Sequence, residues 1–152
     1  MGVGEGSTPR LKIFFDDIGV EESEWMPRCS ATYKNGISFV NWSTRPGFEQ
    51  YFHPFASQVD GQTKTAFYFN TFVRRQGVDV HAHPDRFFLS ARLSADRQGP
   101  IPNESFPFVV EYGYHFDAQL VGEFLKGVAQ DRGVRHLAAR VVDVTQAADG
   151  SI

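Results

Sequence analysis

Cysteine is nearly absent. Cys29 stands alone among 152 residues, which excludes an internal disulfide framework and fits a reducing compartment. No apolar run is long enough to span a bilayer and no signal-peptide pattern opens the chain, so the expectation is a soluble, cytoplasmic protein. Charge of one sign is also lacking. The net charge is −3, which argues against a general polyanion-binding role. No G-x-G-x-x-G follows a strand and opens a helix. Gly2, Gly4 and Gly6 lead into Pro9 instead, and are not read as a dinucleotide fingerprint. There is no internal repeat and no low-complexity tract.

What is abundant is phenylalanine, at 15 residues. A large aromatic core and a flat apolar pocket for a planar ligand both account for it, and composition does not separate them. The length suits one domain with a real core. Apolar spacing at Leu11, Phe14, Phe15 and Ile18 predicts a first helix, capped by Ser7 or Thr8, with Pro9 in its first turn and Gly19 at its end. A short helix is expected over 21–25, with Pro27 ending or kinking it. Residues 31–42 read as a strand. Asn35-Gly36 is also a hairpin-turn dipeptide, so two short strands compete with one. A further strand is expected over 51–56, at an edge or bulge because of Pro54, with Tyr51, His53 and Phe55 on one face.

Residues 64–75 are rich in aromatics and large apolar residues and are compatible with a helix; 97–103 are loop-like. The last helix is the clearest. Asp117 caps it, Val121, Phe124, Leu125 and Val128 form its stripe, and Gly133 closes it. Tyr114-His115-Phe116 ahead of it reads as structural, with Phe116 a staple into the core. A strand over 137–145 is expected next, then a turn at Asp149-Gly150. The fold class is α/β, mixed α+β over the residues present. No returning strand follows the turn, so an internal piece of a larger protein is the expectation.

Two clusters stand out chemically. Lys34 is a single cation among aromatic and apolar neighbours at strand spacing. Desolvation there lowers a lysine's pKa and favours the neutral, nucleophilic amine, whereas an edge-strand lysine merely discourages aggregation. His81-Ala82-His83-Pro84-Asp85 has two histidines and a carboxylate close in sequence. No second cluster completes a metal site and Pro84 suggests a loop, so no metal is assigned.

The order and spacing of Gly2-Val3-Gly4-Glu5, Glu24-Trp25-Met26-Pro27, Tyr33-Lys34, Phe39-Val40-Asn41-Trp42, Tyr51-Phe52-His53-Pro54-Phe55 and Tyr114-His115-Phe116-Asp117-Ala118 resemble the flavin-dependent halogenases of the tryptophan halogenase family. The likeness is dense over 2–55 and 112–144 and thin over 56–110. It implies the FAD-binding fold shared with flavin-dependent aromatic monooxygenases. It favours one continuous strand through Gly36. It divides the chain into 1–55 (strap loop, helix and lysine strand), 56–110 (variable substrate side) and 111–152 (helix and strand returning to the flavin).

The resemblance further implies that Lys34 is catalytic and that Gly2, Val3, Gly4 and Glu5 form a strap beside the flavin, where family members usually have Ala at the position of Gly6. His53 and Phe55 would stack on an indole-like ring, and Val142 would approach the cofactor's adenine. The activity implied is halogenation of an electron-rich aromatic such as tryptophan, using reduced FAD from a separate flavin reductase, dioxygen and halide. Hypohalous acid would be relayed to Lys34, which either forms a haloamine, requiring a neutral amine, or hydrogen-bonds the acid as ammonium. A homodimer is compatible with this reading. A hydroxylating monooxygenase of the same fold and a non-catalytic aromatic-ligand binder are the alternatives.

Overall fold

A computed structural model describes residues 4–46 and 49–151. Gly2 and Val3 lie outside the described residues. Strand β1 (Gly4–Gly6) is followed by helices α1 (Arg10–Asp17) and α2 (Glu22–Arg28), then strands β2 (Thr32–Lys34), β3 (Gly36–Val40) and β4 (Gln50–Pro54). Helices α3 (Gly61–Arg75) and α4 (Leu89–Ala95), strand β5 (Gly113–Asp117) and helix α5 (Ala118–Asp131) complete the order. Two antiparallel sheets result, one ordered β1-β5-β2 and the other pairing β3 with β4.

The predicted helices form, with shifted ends. No side chain caps α1, because the Ser7 hydroxyl instead accepts from the Tyr114 amide at 3.0 Å. Pro27 sits inside α2, one residue before its last, Arg28, so the helix ends just after it. Asp117 caps α5 as expected, its Oδ1 accepting from the amides of Gln119 and Leu120 at 2.9 and 3.0 Å. Gly19 and Gly133 follow their helices at φ of 63° and 86°, the left-handed region in which glycine carries no Cβ penalty.

Helices α1, α2 and α5 lie on one side of the three-stranded sheet. Phe15 stacks on Trp25 with centroids 4.2 Å apart, and Trp25 meets Tyr114 edge-on at 4.8 Å. Each such pair contributes about 0.5–1.5 kcal/mol beyond its burial. Val20, Cys29, Tyr112 and Val121 close this core, with Phe116 packed against it. Burial first, then the charge of Asp117, pushes the Cys29 thiol up against the opposing charge of Arg28, so this cysteine behaves as a small apolar side chain.

The single strand expected over 31–42 is a correction. The chain breaks at Asn35, leaving β2 in one sheet and β3 in the other. No hairpin joins the two pieces, since β2 pairs with β5 and β3 with β4. Asn35 holds the break: its side-chain amide donates to the Gln98 carbonyl at 3.0 Å and its own carbonyl accepts from the Phe55 amide at 3.0 Å. A Cβ at Gly36 would lie 2.4 Å from the His53 carbonyl oxygen, so the close approach of β3 and β4 requires glycine.

The strand expected over 137–145 does not form. Leu137, Val141 and Val144 are exposed, and no described strand lies beside them to complete a ladder, which an isolated strand needs for stability. The turn at Asp149-Gly150 is present, with the Gly150 amide donating to the Ala147 carbonyl at 2.9 Å. The segment 64–75 is helical, but α3 buries none of its residues and leaves Tyr68, Phe69 and Phe72 exposed. No described helix is long and apolar enough to cross a membrane.

Candidate functional site

The register of the β1-β5-β2 sheet sorts its side chains into two unlike faces. Glu5 pairs with Phe116 and Tyr33 with Tyr114, while Gly4 pairs with Asp117, Gly6 and Thr32 both with His115, and Lys34 with Gly113. Directly paired residues share a face, and the face alternates along each strand. The aromatic face, with Tyr33, Tyr114 and Phe116, is the one that meets the helices. The opposite face carries three glycines, Thr32, Asp117, His115 and Lys34.

The glycines leave room on that face. A Cβ at Gly6 would stand 2.9 Å from Lys34 Nζ and 3.1 Å from His115 Nδ1. The two nitrogens therefore lie within about 6 Å of each other around one point. Gly113 is closed from the other direction: its Cβ would meet the Ser7 carbonyl oxygen at 2.6 Å.

Lys34 is half-buried and its Nζ stands 5.7 Å from the centroid of the Phe55 ring. No carboxylate lies within ion-pair distance of it among the described residues. Lys34, Asn35, Phe52, Arg97 and His115 line an open cleft of about 540 Å³ that has no Asp or Glu in its wall. The arrangement offers an amine, an imidazole and an aromatic face to one small volume.

The other expected site residues are placed unequally. Gly4 and Glu5, expected in a strap loop, form strand β1; the backbone there is held by β5 and only Gly4 looks toward the Lys34 face. Phe55 is buried beside Lys34. His53 is exposed, pairs with Ile37 and meets Tyr51 edge-on at 6.4 Å. The single face expected for Tyr51, His53 and Phe55 is lost because β4 ends at Pro54. Val142 is 88% exposed in an irregular segment, so the structure does not bring it to the site. His83 Nδ1 lies 3.3 Å from Asp85 Oδ1 at the start of a short 3₁₀ turn. The described residues contain no group of three or more metal-ligating side chains.

His115 is the residue that sequence reasoning missed. Tyr112, Tyr114 and Phe116 alternate with Gly113, His115 and Asp117, a period-two pattern that marks a strand and points His115 away from the core. The strong cap signal of Asp117 drew the segment toward the helix instead.

The model of the tryptophan halogenase family matches residues 1–152. The chain is 32% identical to the tryptophan 6-halogenase SttH of Streptomyces toxytricini over 95% of its own length and 31% of that protein. It is 32% identical to the tryptophan 7-halogenase RebH of Lentzea aerocolonigenes, over 100% of its length and 31% of the relative. Among solved structures, a flavin-dependent halogenase from Xanthomonas campestris superposes with a TM-score of 0.72 at 28% identity, covering 99% of this chain and 30% of that one. BrvH, a flavin-dependent halogenase from Brevundimonas, gives a TM-score of 0.73 at 26% identity, covering 97% and 30%. The chain thus spans about three-tenths of the length of the relatives it matches. Its mixed helix-and-strand architecture is part of the FAD-binding fold of these enzymes, and the chain belongs to the tryptophan halogenase family.

Proposed function

We propose that this chain is the lysine-bearing segment of an FAD-dependent halogenase that acts on an electron-rich aromatic ring such as tryptophan or an indole-like compound. One observation carries the reading. Lys34 Nζ stands over the Phe55 ring on a face cleared by glycines, at the edge of a cleft with no carboxylate in its wall. The cleft is open, so a small electrophile entering it would meet the amine. Reduced FAD, supplied by a separate flavin reductase, would furnish hypohalous acid from dioxygen and halide. Lys34 would hold the halogen for attack by the ring, while Phe55 offers an aromatic surface for offset stacking and His53 a second, more exposed ring.

The residues present fit a flavin in part. β1 is an edge strand with exposed residues, and a Cβ at Gly4 would make no more than an ordinary contact, with the Phe116 carbonyl oxygen at 3.9 Å. A flat ring would lie against such a backbone, with Gly4 as its neighbour on the Lys34 face and Glu5 next to it in the strand. A glycine-rich turn for the pyrophosphate is not found among the described residues.

Lys34→Ala tests the proposal in the full-length protein supplied with FAD, a flavin reductase, halide and tryptophan. Halogenated product should fall to background while flavin reoxidation continues. Lys34→Arg should fail as well, because guanidinium keeps its proton and presents a planar fork. Near-normal product from Lys34→Ala would refute the role.

A further inference from the structure

We propose that His115 is a positioning residue for Lys34, a role that deepens and rests on the halogenase reading above. Three observations converge on it. Strand register puts His115 and Lys34 on the same face of the sheet, across from a glycine on each side: His115 pairs with Gly6 and Lys34 with Gly113. The Lys34 and His115 side chains converge over Gly6, where a Cβ would stand 2.9 Å from Lys34 Nζ and 3.1 Å from His115 Nδ1 and would force one of them to shift. Both residues line the same cleft. His115 is exposed, and its imidazole makes no hydrogen bond to the described protein atoms, so its ring is not spent on holding the fold.

A lysine stem is long and flexible, and its amine is useful only if walls define where it goes. The Phe55 ring face forms one wall, the backbone at Gly6 the floor, and the imidazole of His115 the remaining side. Arg97 is the other cation lining this cleft. A neutral imidazole nitrogen accepts a hydrogen bond from the Lys34 ammonium directly or through one water, and when the amine is neutral the ring still limits its sweep across the glycine floor.

The test uses the full-length protein with FAD and a flavin reductase, and two readouts. The first is halogenated product formed per flavin oxidised. The second needs no halogenation: the rate at which acetic anhydride acylates Lys34 in the resting protein, measured by mass spectrometry against Lys64 in the same sample. His115→Ala should lower product per flavin by about 10- to 100-fold, the effect of a misplacement of roughly an ångström. Substrate affinity should hold, and the acylation of Lys34 relative to Lys64 should shift. His115→Gln, which keeps a hydrogen-bonding side chain, should restore part of both; a merely structural role would move the melting temperature and neither readout. Should His115→Ala fail to fold, Gly6→Ala serves in its place, because its methyl occupies the point between the two nitrogens and should shift Lys34 acylation. Unchanged acylation of Lys34 in these variants overturns the proposal. If the wild-type protein makes no halogenated product while the acylation contrast persists, the halogenase reading fails and the pairing of His115 with Lys34 stands.

Discussion

Glu22 should carry more of the stability of this region than any other polar side chain, and its removal tests how the sheet is fixed to the helices. Three phenols donate to its carboxylate: Tyr114 at 2.6 Å, Tyr112 at 2.7 Å and Tyr33 at 3.0 Å. Tyr114 is 0% and Tyr112 8% exposed, so loss of the acceptor strands two buried hydroxyls. An orphaned buried donor costs about 1–3 kcal/mol, which puts Glu22→Ala at roughly 2–6 kcal/mol, Tyr33 being too exposed to add to the sum. Tyr114→Phe removes one charge-assisted bond while Tyr112 continues to serve the same oxygen, and should cost about 1.5–3 kcal/mol. Against a usual total of about 5–15 kcal/mol, either change is large. Because the groups share one network, the two substitutions should not add: in the Tyr114→Phe background, Glu22→Ala should cost less by about 1 kcal/mol or more. Urea titration followed by the fluorescence of the buried Trp25 reads each term. A Glu22→Ala cost under about 0.5 kcal/mol, the range of ordinary surface changes, or strict additivity with Tyr114→Phe, would show that the three bonds do not hold the sheet.

The same network sets an alkaline limit. Burial first, then the hydrogen bond to Glu22 and its charge, pushes the Tyr33 phenol up to about 12 and moves Tyr112 and Tyr114 in the same direction. The folded state therefore keeps protons that the unfolded chain releases above about pH 10. The stability this contributes is whole below about pH 10 and falls as pH rises toward about 12; phenolate absorbance should show delayed titration that Glu22→Gln advances, and coincidence of the two curves would contradict it. Gly36→Ala should destabilise by roughly 1–3 kcal/mol by forcing β3 from β4, readable as a lowered urea midpoint, and an unchanged midpoint would mean the strands can part freely. Phe55→Ala should weaken aromatic-substrate binding by about 1–3 kcal/mol and His53→Ala by less, with flavin affinity kept in both; the reverse pattern in a binding titration would misplace these rings. Residues 1–152 expressed alone should retain no FAD on gel filtration, and a yellow stoichiometric complex would contradict that.

Elements whose signals are local were legible in the sequence. Asp117 at the cap, the Val121–Val128 stripe and Gly133 specify α5 within one run of residues, and the structure agrees. Pro27 marked the end of α2 to within one residue, since proline is tolerated late in a short helix whose terminal bonds are few. Asn35 and Gly36 were ambiguous because the choice between one strand and two depends on partners far away, β5 for one piece and β4 for the other. Residues 137–145 are rich in valine and other apolar residues like a strand, but composition states a preference and supplies no neighbour. Around the cleft, the motifs single out Lys34 and Phe55, which the structure places together. The placing of His115 and Gly6 against Lys34 was not, since it requires β1, β2 and β5 to be aligned residue by residue.

That alignment connects the energetics to the chemistry. In β2 and β5, successive residues serve opposite tasks: Tyr33 and Tyr114 face Glu22 and the helices, while Lys34 and His115, their immediate neighbours in sequence, face the cleft. A slip of one residue in the pairing would turn the phenols into the cleft and the amine into the core. It would cost the tyrosine network and bury a cation beside Trp25, so the register that stabilises the sheet is the one that presents Lys34. Gly113 and Gly6 extend the same logic. Each lies opposite one of the two polar side chains, where any Cβ would meet Ser7 or the lysine amine itself. The sheet is packed against helices on its aromatic side, and on its other face the glycines at 6 and 113 give up the space that Lys34, His115 and Ser7 occupy.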